Sequence, residues 1–195
     1  MPKLARPRWG ATRACSTRAG RSIRDSPKYS NVIWVGTDDG NVQVTRGGGK
    51  AWKNVTAAAG VPANSWVAYI DAGRFDAGTA YVAFDRHTFG DMAPMFYKTT
   101  DYGSHWQALA NDVQTKGIRG FSYVLREDPV RRGLLYAGTE FGLWISPDDG
   151  GTWAQFKGGD FPAVSVRYLV VQPRDGDLVL APTGRDVCII DNPTP

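Results

Sequence analysis

The 195-residue chain is poor in the residues that carry most metal and nucleophile chemistry, with two cysteines and two histidines. Cys15 lies in a polar, basic stretch and Cys188 in the apolar run VCII, so no disulfide framework is legible and the redox compartment stays open. His87 and His105 fall in different turn regions with no cysteine at zinc-like spacing. Neither a metal nor a cofactor is expected. No apolar run approaches the ~18 residues that a membrane-spanning helix needs, so no membrane span is expected. Acidic residues are scarce at the start: residues 1–28 hold eight basic side chains and one acid, Asp25. The rest of the chain holds 15 basic and 18 acidic side chains, so the net charge of +4 resides in the leading stretch. A nucleic-acid footprint belongs on a basic folded body with interleaved aromatics. This body is mildly acidic, and no nucleic-acid partner is expected.

Residues 1–27 also lack hydrophobic periodicity and the apolar run of a secretory signal. They are expected to form a disordered or non-native tail, and localisation is left open. By contrast, 23 glycines, 12 prolines and seven tryptophans describe a turn-rich, well-packed body.

From residue 31 onward that body repeats. An apolar strand, a tight polar turn and a second apolar strand recur as IWVGTDDGNVQVT (33–45), YVAFDRHTFGDMAPMFYKT (81–99), LYAGTEFGLWIS (135–146) and LVLAPTGRDVCII (178–190). A further strand precedes the last three hairpins, as in WVAYIDAGRF and FSYVLREDP. The hairpin is followed three times by a hydroxyl–x–Asp/Gly–x–Gly–x–x–Trp turn: Thr45–Gly49–Trp52, Thr99–Asp101–Gly103–Trp106 and Ser146–Asp148–Gly150–Trp153. In such a turn the Asp accepts nearby backbone N–H groups, Gly supplies positive φ, and the Trp buries a large ring. Gly47 stands in the Asp place of the first copy.

Four short antiparallel strands per repeat of about 45 residues is the size of a propeller blade, and a sandwich would not repeat the turn chemistry. The expectation is an all-β fold of four-stranded blades, with blade units near 28–57, 66–110, 118–158 and 164–191. It is a partial propeller of two full and two incomplete blades. The first lacks its opening strand unless the basic stretch supplies it, and the last stops after its third.

The Ser/Thr-x-Asp-x-Gly-x-x-Trp pieces resemble the Asp-box, or BNR, repeat of sialidases, sortilin-type receptors and certain glycoside hydrolases. Together with REDPVRRGLLYAGTEFGLWIS and LVLAPTGRDVCIID, the run is most similar to the C-terminal part of bacterial sortilin-like proteins, often labelled glycosyl hydrolases. The two partial blades do not fill each other's gaps, so the run is expected to be a segment of a larger propeller with a protein or glycan ligand. The resemblance adds relatives that are often exported. Cys188 stands where this pattern expects a large aromatic.

Chemistry is sparse. GGGK (47–50) lacks the Gly and the Ser/Thr of a phosphate loop. The arginine-rich motif of sialidases is absent, and Arg126-Glu127-Asp128-Pro129 reads as a turn salt bridge. Propeller topology places the hairpin turns at the channel mouth with the blade-to-blade loops. The binding candidates are therefore Asp38, Asp39, Asp85, Arg86, His87, Glu140 and Arg185. Hydrolysis of a glycoside needs two carboxyls facing each other across a cleft, and Asp85 and Glu140 are the weak catalytic candidates. Trp66 and Phe89 could stack on a sugar ring, whereas Asp101 and Asp148 are structural. Two classes of function remain: a noncatalytic propeller module binding protein or glycan, and a fragment of a sortilin-like glycoside hydrolase.

Overall fold

The computed structural model describes residues 20–110, 117–158, 161, 164–184 and 187–191. Most of the basic stretch, with Cys15, lies outside the described residues, as does Arg185.

The described residues form four antiparallel sheets arranged in sequence order. Blade 1 holds β1 (Gly20–Asp25), β2 (Ile33–Thr37), β3 (Val42–Thr45) and β4 (Lys53–Asn54). Blade 2 holds β5 (Trp66–Ala72), β6 (Ala80–Arg86), β7 (Asp91–Thr99) and β8 (Gln107–Ala110). Blade 3 holds β9 (Ser122–Glu127), β10 (Leu135–Thr139), β11 (Gly142–Ser146) and β12 (Ala154–Gln155). Blade 4 is three-stranded, with β13 (Val166–Val171), β14 (Leu178–Pro182) and β15 (Cys188–Ile190). Each strand pairs with its sequence neighbour, and the first strands β1, β5, β9 and β13 are innermost. The architecture is a partial β-propeller.

Position in the array explains the strand patterns. A blade packed on both faces reads as a continuous apolar run, and β10 (LYAGT) is buried at every position. The end blades alternate instead: in β2 Trp34 and Gly36 are buried, and in β14 Leu178, Leu180 and Pro182 are. Val67, Ile70, Val82 and Phe84 join Trp34, Val42 and Val44 between blades 1 and 2. A larger cluster, centred on Leu125, Tyr136, Leu143 and Leu169, runs from blade 2 to blade 4.

The structure differs from the sequence pattern at the first blade, which is complete. Strand β1 begins within the basic stretch and pairs with β2 from Gly20↔Thr37 to Asp25↔Ile33. The strand was illegible because polar bonds hold its inward side chains. The Ser22 hydroxyl accepts the Ile70 N–H at 3.2 Å, and Arg24 reaches the Tyr69 hydroxyl at 2.5 Å. Ile23 points the other way and is exposed. There are thus three four-stranded blades and one of three strands among the described residues.

The repeated turns join strands three and four, and the second and third of them latch blades 2 and 3 to the blade before. In the second, the Thr99 hydroxyl donates to Asp101 at 3.0 Å and accepts the Gly103 N–H at 2.9 Å, while Asp101 accepts the His105 N–H at 2.9 Å. His105, through its N–H first and then its ring, holds the Asp101 carboxyl down at about 2. In the third, Ser146 and Asp148 repeat the pattern, with the Gly150 N–H on Ser146 at 2.8 Å and the Thr152 N–H on Asp148 at 2.8 Å. Desolvation pushes the Asp148 carboxyl up, but the Thr152 and Ser146 donors outweigh it and keep it below its ordinary value.

Each of these two turns then reaches back one blade. The indole N–H groups of Trp106 and Trp153 donate to the Val55 and Leu109 carbonyls, both at 3.2 Å. Gly103 and Gly150, at φ 78° and 85°, lie against the same two residues. A Cβ there would stand 2.6 Å from Val55 Cγ2 and 2.8 Å from Leu109 Cδ2. Tyr102 and Asp149 hold left-handed φ of 59° and 60°, a conformation costing roughly 1–2 kcal/mol for an L-residue. Their N–H groups are held by the Gly78 and Gly133 carbonyls at 3.0 and 2.8 Å.

Two stability changes follow. Gly47 is not among the positive-φ glycines, and a Cβ there would meet only Lys50 Cβ, at an unstrained 3.8 Å, so Gly47→Asp restores the missing clamp to the first turn. It is expected to stabilise the chain by about 1 kcal/mol in urea denaturation; no gain or a loss would show that the carboxylate is not the missing element. Trp153→Phe is expected to cost about 1 kcal/mol for the lost indole bond, against about 3–5 kcal/mol for Trp153→Ala.

Candidate functional site

The turns between second and third strands share the opposite face with the blade-to-blade segments. Backbone bonds tie them together: the Glu140 N–H donates to the Phe121 carbonyl at 3.2 Å and the Thr183 N–H to the Ser165 carbonyl at 3.0 Å. On this face the long hairpin of blade 2 opens into a 3-10 turn, His87–Phe89, closed by Gly90 at φ 78°.

Asp85 ends the buried part of β6 and is 4% exposed. Both carboxylate oxygens lie 2.7 Å from His87 Nδ1, and one also accepts the His87 N–H at 2.9 Å. The imidazole thereby becomes part of an aromatic ledge. It stacks on Phe121 with centroids 4.4 Å apart at 20°, and Trp66 meets it edge-on at 6.2 Å. Phe121 abuts Tyr123 at 4.9 Å, and the Arg167 guanidinium stands over the Tyr123 ring at 4.9 Å. The Tyr123 hydroxyl is raised above its ordinary pKa, first by burial and further by the Asp85 and Glu140 carboxylates, with Arg167 opposing. Asp85, His87 and Glu140 thus gather beside one ledge.

The other sequence candidates go elsewhere. Asp39 accepts the Thr37 hydroxyl inside the blade 1 turn, beside Asp38. Arg86 donates to the Ala63 carbonyl, pairs with Asp91 at 3.6 Å and lies over Phe89 at 5.3 Å. Phe89 is itself exposed and outside the stacked set. Phe121, Tyr123 and Arg167 were missed, because each sits at the start of an innermost strand, where no motif marks it. The only available signal was the aromatic pair flanking Ser122.

A second constellation missed in the sequence occupies the innermost strands. Asp71, 2% exposed, is approached by Arg24 at 3.7 Å and by Arg74 and Arg126 at 3.9 Å each. The Tyr69 hydroxyl accepts from Arg24 and, at 2.9 Å, from Arg126. The Tyr168 ring meets Tyr69 edge-on at 6.0 Å. Burial raises the Asp71 carboxyl to about 6, although the three arginines oppose it. Arg126 therefore contributes to a charge cluster drawn from blades 1, 2 and 3 rather than to the turn salt bridge read from its neighbours. Among the described residues no group of three or more His, Cys, Asp or Glu is arranged to hold a metal. No described helix is long and apolar enough to cross a membrane.

The class this fold defines is the partial β-propeller, and it resembles all or part of known β-propeller structures. No protein-family profile and no curated protein sequence matches the chain. Among solved structures, YCF48 bound to a D1 peptide matches at TM-score 0.64 and 15% identity, over 91% of this chain and 53% of that one. The GH74 xyloglucanase of Xanthomonas campestris matches at TM-score 0.62 and 15% identity, over 84% and 26%. The computationally designed Ika4 protein matches at TM-score 0.58 and 15% identity, over 91% and 94%. The chain thus spans about half the length of YCF48 and a quarter of the xyloglucanase. At such identities the likeness is one of fold.

Asp71 gives the stability a pH dependence. Its carboxyl titrates near 4 when unfolded and at about 6 when folded, so between those values the folded chain binds more protons. Asp71 therefore makes stability fall as pH rises from about 4 to about 6, by on the order of 3 kcal/mol. Urea denaturation at pH 4, 5 and 6.5 should show that decline in the wild type and a flatter profile in Asp71→Asn. Parallel profiles would remove Asp71 as the cause.

Proposed function

We propose that this chain is a noncatalytic Asp-box β-propeller module of the sortilin-like kind, binding a protein or glycan ligand through its hairpin face. The observation that carries the reading is the ledge of the half-buried Trp66, His87 and Tyr123 rings, backed by the buried Phe121 and bordered by Arg167. Stacked rings with a cation at one end suit the apolar face of a sugar or an aromatic or acidic peptide side chain. Asp85 is buried and closed on His87, which makes it a support for the ledge rather than a free acid or base. The Asp-bearing turns face away and are saturated by their own donors, in keeping with an Asp-box scaffold. The peptide in the YCF48 structure is a precedent for recognition on this fold.

The second reading is a fragment of a sortilin-like glycoside hydrolase, with carboxylates contributed partly by further blades. It is favoured by the shared influence of Asp85 and Glu140 on Tyr123 and by the fold likeness to a xyloglucanase.

A panel of xyloglucan oligosaccharides, aryl glycosides and acidic or aromatic peptides separates the two. Calorimetry is expected to show binding without turnover, weakened about tenfold or more by Phe121→Ala and unchanged by Asp101→Asn on the far face. Turnover that Glu140→Gln or Asp85→Asn abolishes would establish the hydrolase reading instead.

A further inference from the structure

The interfaces inside the array are built to one plan, and its two outer flanks carry the two halves of that plan. On the flank facing the preceding blade, the second pair after the register shift of the inner ladder places Ile70 opposite Val82 in blade 2, Leu125 opposite Ala137 in blade 3 and Leu169 opposite Leu180 in blade 4. Ile70, Leu125 and Leu169 are each 0% exposed. In blade 1 the same position is Ile23, opposite Val35, and Ile23 is 58% exposed.

On the flank facing the following blade, the second strand keeps a small residue where the next inner strand comes closest. A Cβ on Gly36 would lie 2.2 Å from Val67 Cγ1, and one on Gly138 would lie 2.3 Å from the Val166 carbonyl oxygen. Blade 4 keeps that seat. Ala181 pairs with Tyr168 as Gly138 pairs with Val124 and Ala83 with Tyr69. Ala181 is exposed, as are Tyr168 at 43% and Ile189 at 63% on the same flank.

We propose that the chain pairs with a second copy of itself, blade 4 of each copy seating blade 1 of the other, to close an eight-bladed ring about a two-fold axis. The occupant follows from complementarity. What fits the open seat of blade 4 is the leading flank of a blade, and among the described residues one such flank is exposed, that of blade 1. Two copies cover both flanks and continue the packing already formed three times within the chain. Eight blades lie within the range of ~4–8 that propellers adopt. A head-to-tail contact of this kind closes when its rotation returns to the start. This inference goes beyond the ligand reading and is independent of it.

The test is light scattering coupled to size-exclusion chromatography on the full chain, with Ile23→Asp, Ile189→Asp and, as control, Val130→Asp. Val130 is 76% exposed in the turn between β9 and β10, away from both flanks. Wild type and Val130→Asp are expected at the mass of two chains. Both flank variants are expected at the mass of one, with dissociation constants raised about 100-fold. Because Ile23 and Ile189 are exposed within one chain, those variants should keep the wild-type near-ultraviolet circular dichroism. A wild type at the mass of one chain, assemblies that grow with concentration beyond two, or dimers indifferent to both flank substitutions would each overturn the proposal. So would a chain that associates only with other propeller blades.

Discussion

The structure depends on the backward latch between blades. A small sheet on its own buries too little apolar surface to persist, so each blade is stable through its neighbour. The turn after the third strand fixes that neighbour's position with two short-range devices. A left-handed glycine, Gly103 or Gly150, admits the side chain that ends the preceding blade. A tryptophan, Trp106 or Trp153, then covers it and bonds its carbonyl. Hydroxyl and carboxylate act within the turn, holding the loop so that glycine and indole arrive together. The apolar inner ladders supply most of the burial, and the latch sets the register in which they meet.

This arrangement divides the labour between the two faces. Asp101 and Asp148 spend their oxygens on backbone and hydroxyl donors of their own loops, which leaves them little chemistry to offer. On the hairpin face Asp85 is similarly committed, but to a side chain, and its effect is to orient an imidazole against Phe121. Between the faces lies the Arg24–Tyr69–Asp71–Arg126 cluster, where blades 1, 2 and 3 meet at the axis and Tyr168 of blade 4 closes the side. Its carboxylate is paired yet poorly hydrated, so the cluster fixes the mutual position of the blades more than it adds stability.

What the sequence revealed, and what it withheld, follows from the range of the interactions. The hairpins and Trp turns were legible because their chemistry is complete within about eight residues, and Thr99, Asp101, Gly103 and Trp106 all act on one loop or its immediate support. The face on which Asp85, His87 and Glu140 lie was legible from topology, because turns between second and third strands must share an end of the array. Strand β1 was not, since Ser22 and Arg24 bond polar atoms of blade 2 and leave no apolar alternation. Nor were the partners of His87. Phe121, Tyr123 and Arg167 come from two further blades and meet it only once the blades are stacked. The axial charge cluster was hidden for the same reason, and Arg126 was misread from its sequence neighbours because its true partners, Tyr69 and Asp71, are more than fifty residues away.

If the latch is what the array depends on, the three turns must differ in local stability. The turns at 99–106 and 146–153 rest on Val55 and Leu109, whereas Gly49 of the first turn has nothing within 4 Å of its Cβ position and the turn lacks the carboxylate clamp. Amide hydrogen exchange measures this directly, since protection reports the free energy of local opening. The Gly103 and Gly150 amides, both bonded to buried hydroxyls, are expected to exchange only with opening of their blade. The Gly49 amide, bonded to Thr45 in the same way, is expected to exchange at least 100-fold faster. Equal protection at the three glycines would contradict the account, because it would mean that the loop's own bonds, and not its seat on the preceding blade, hold the turn in place.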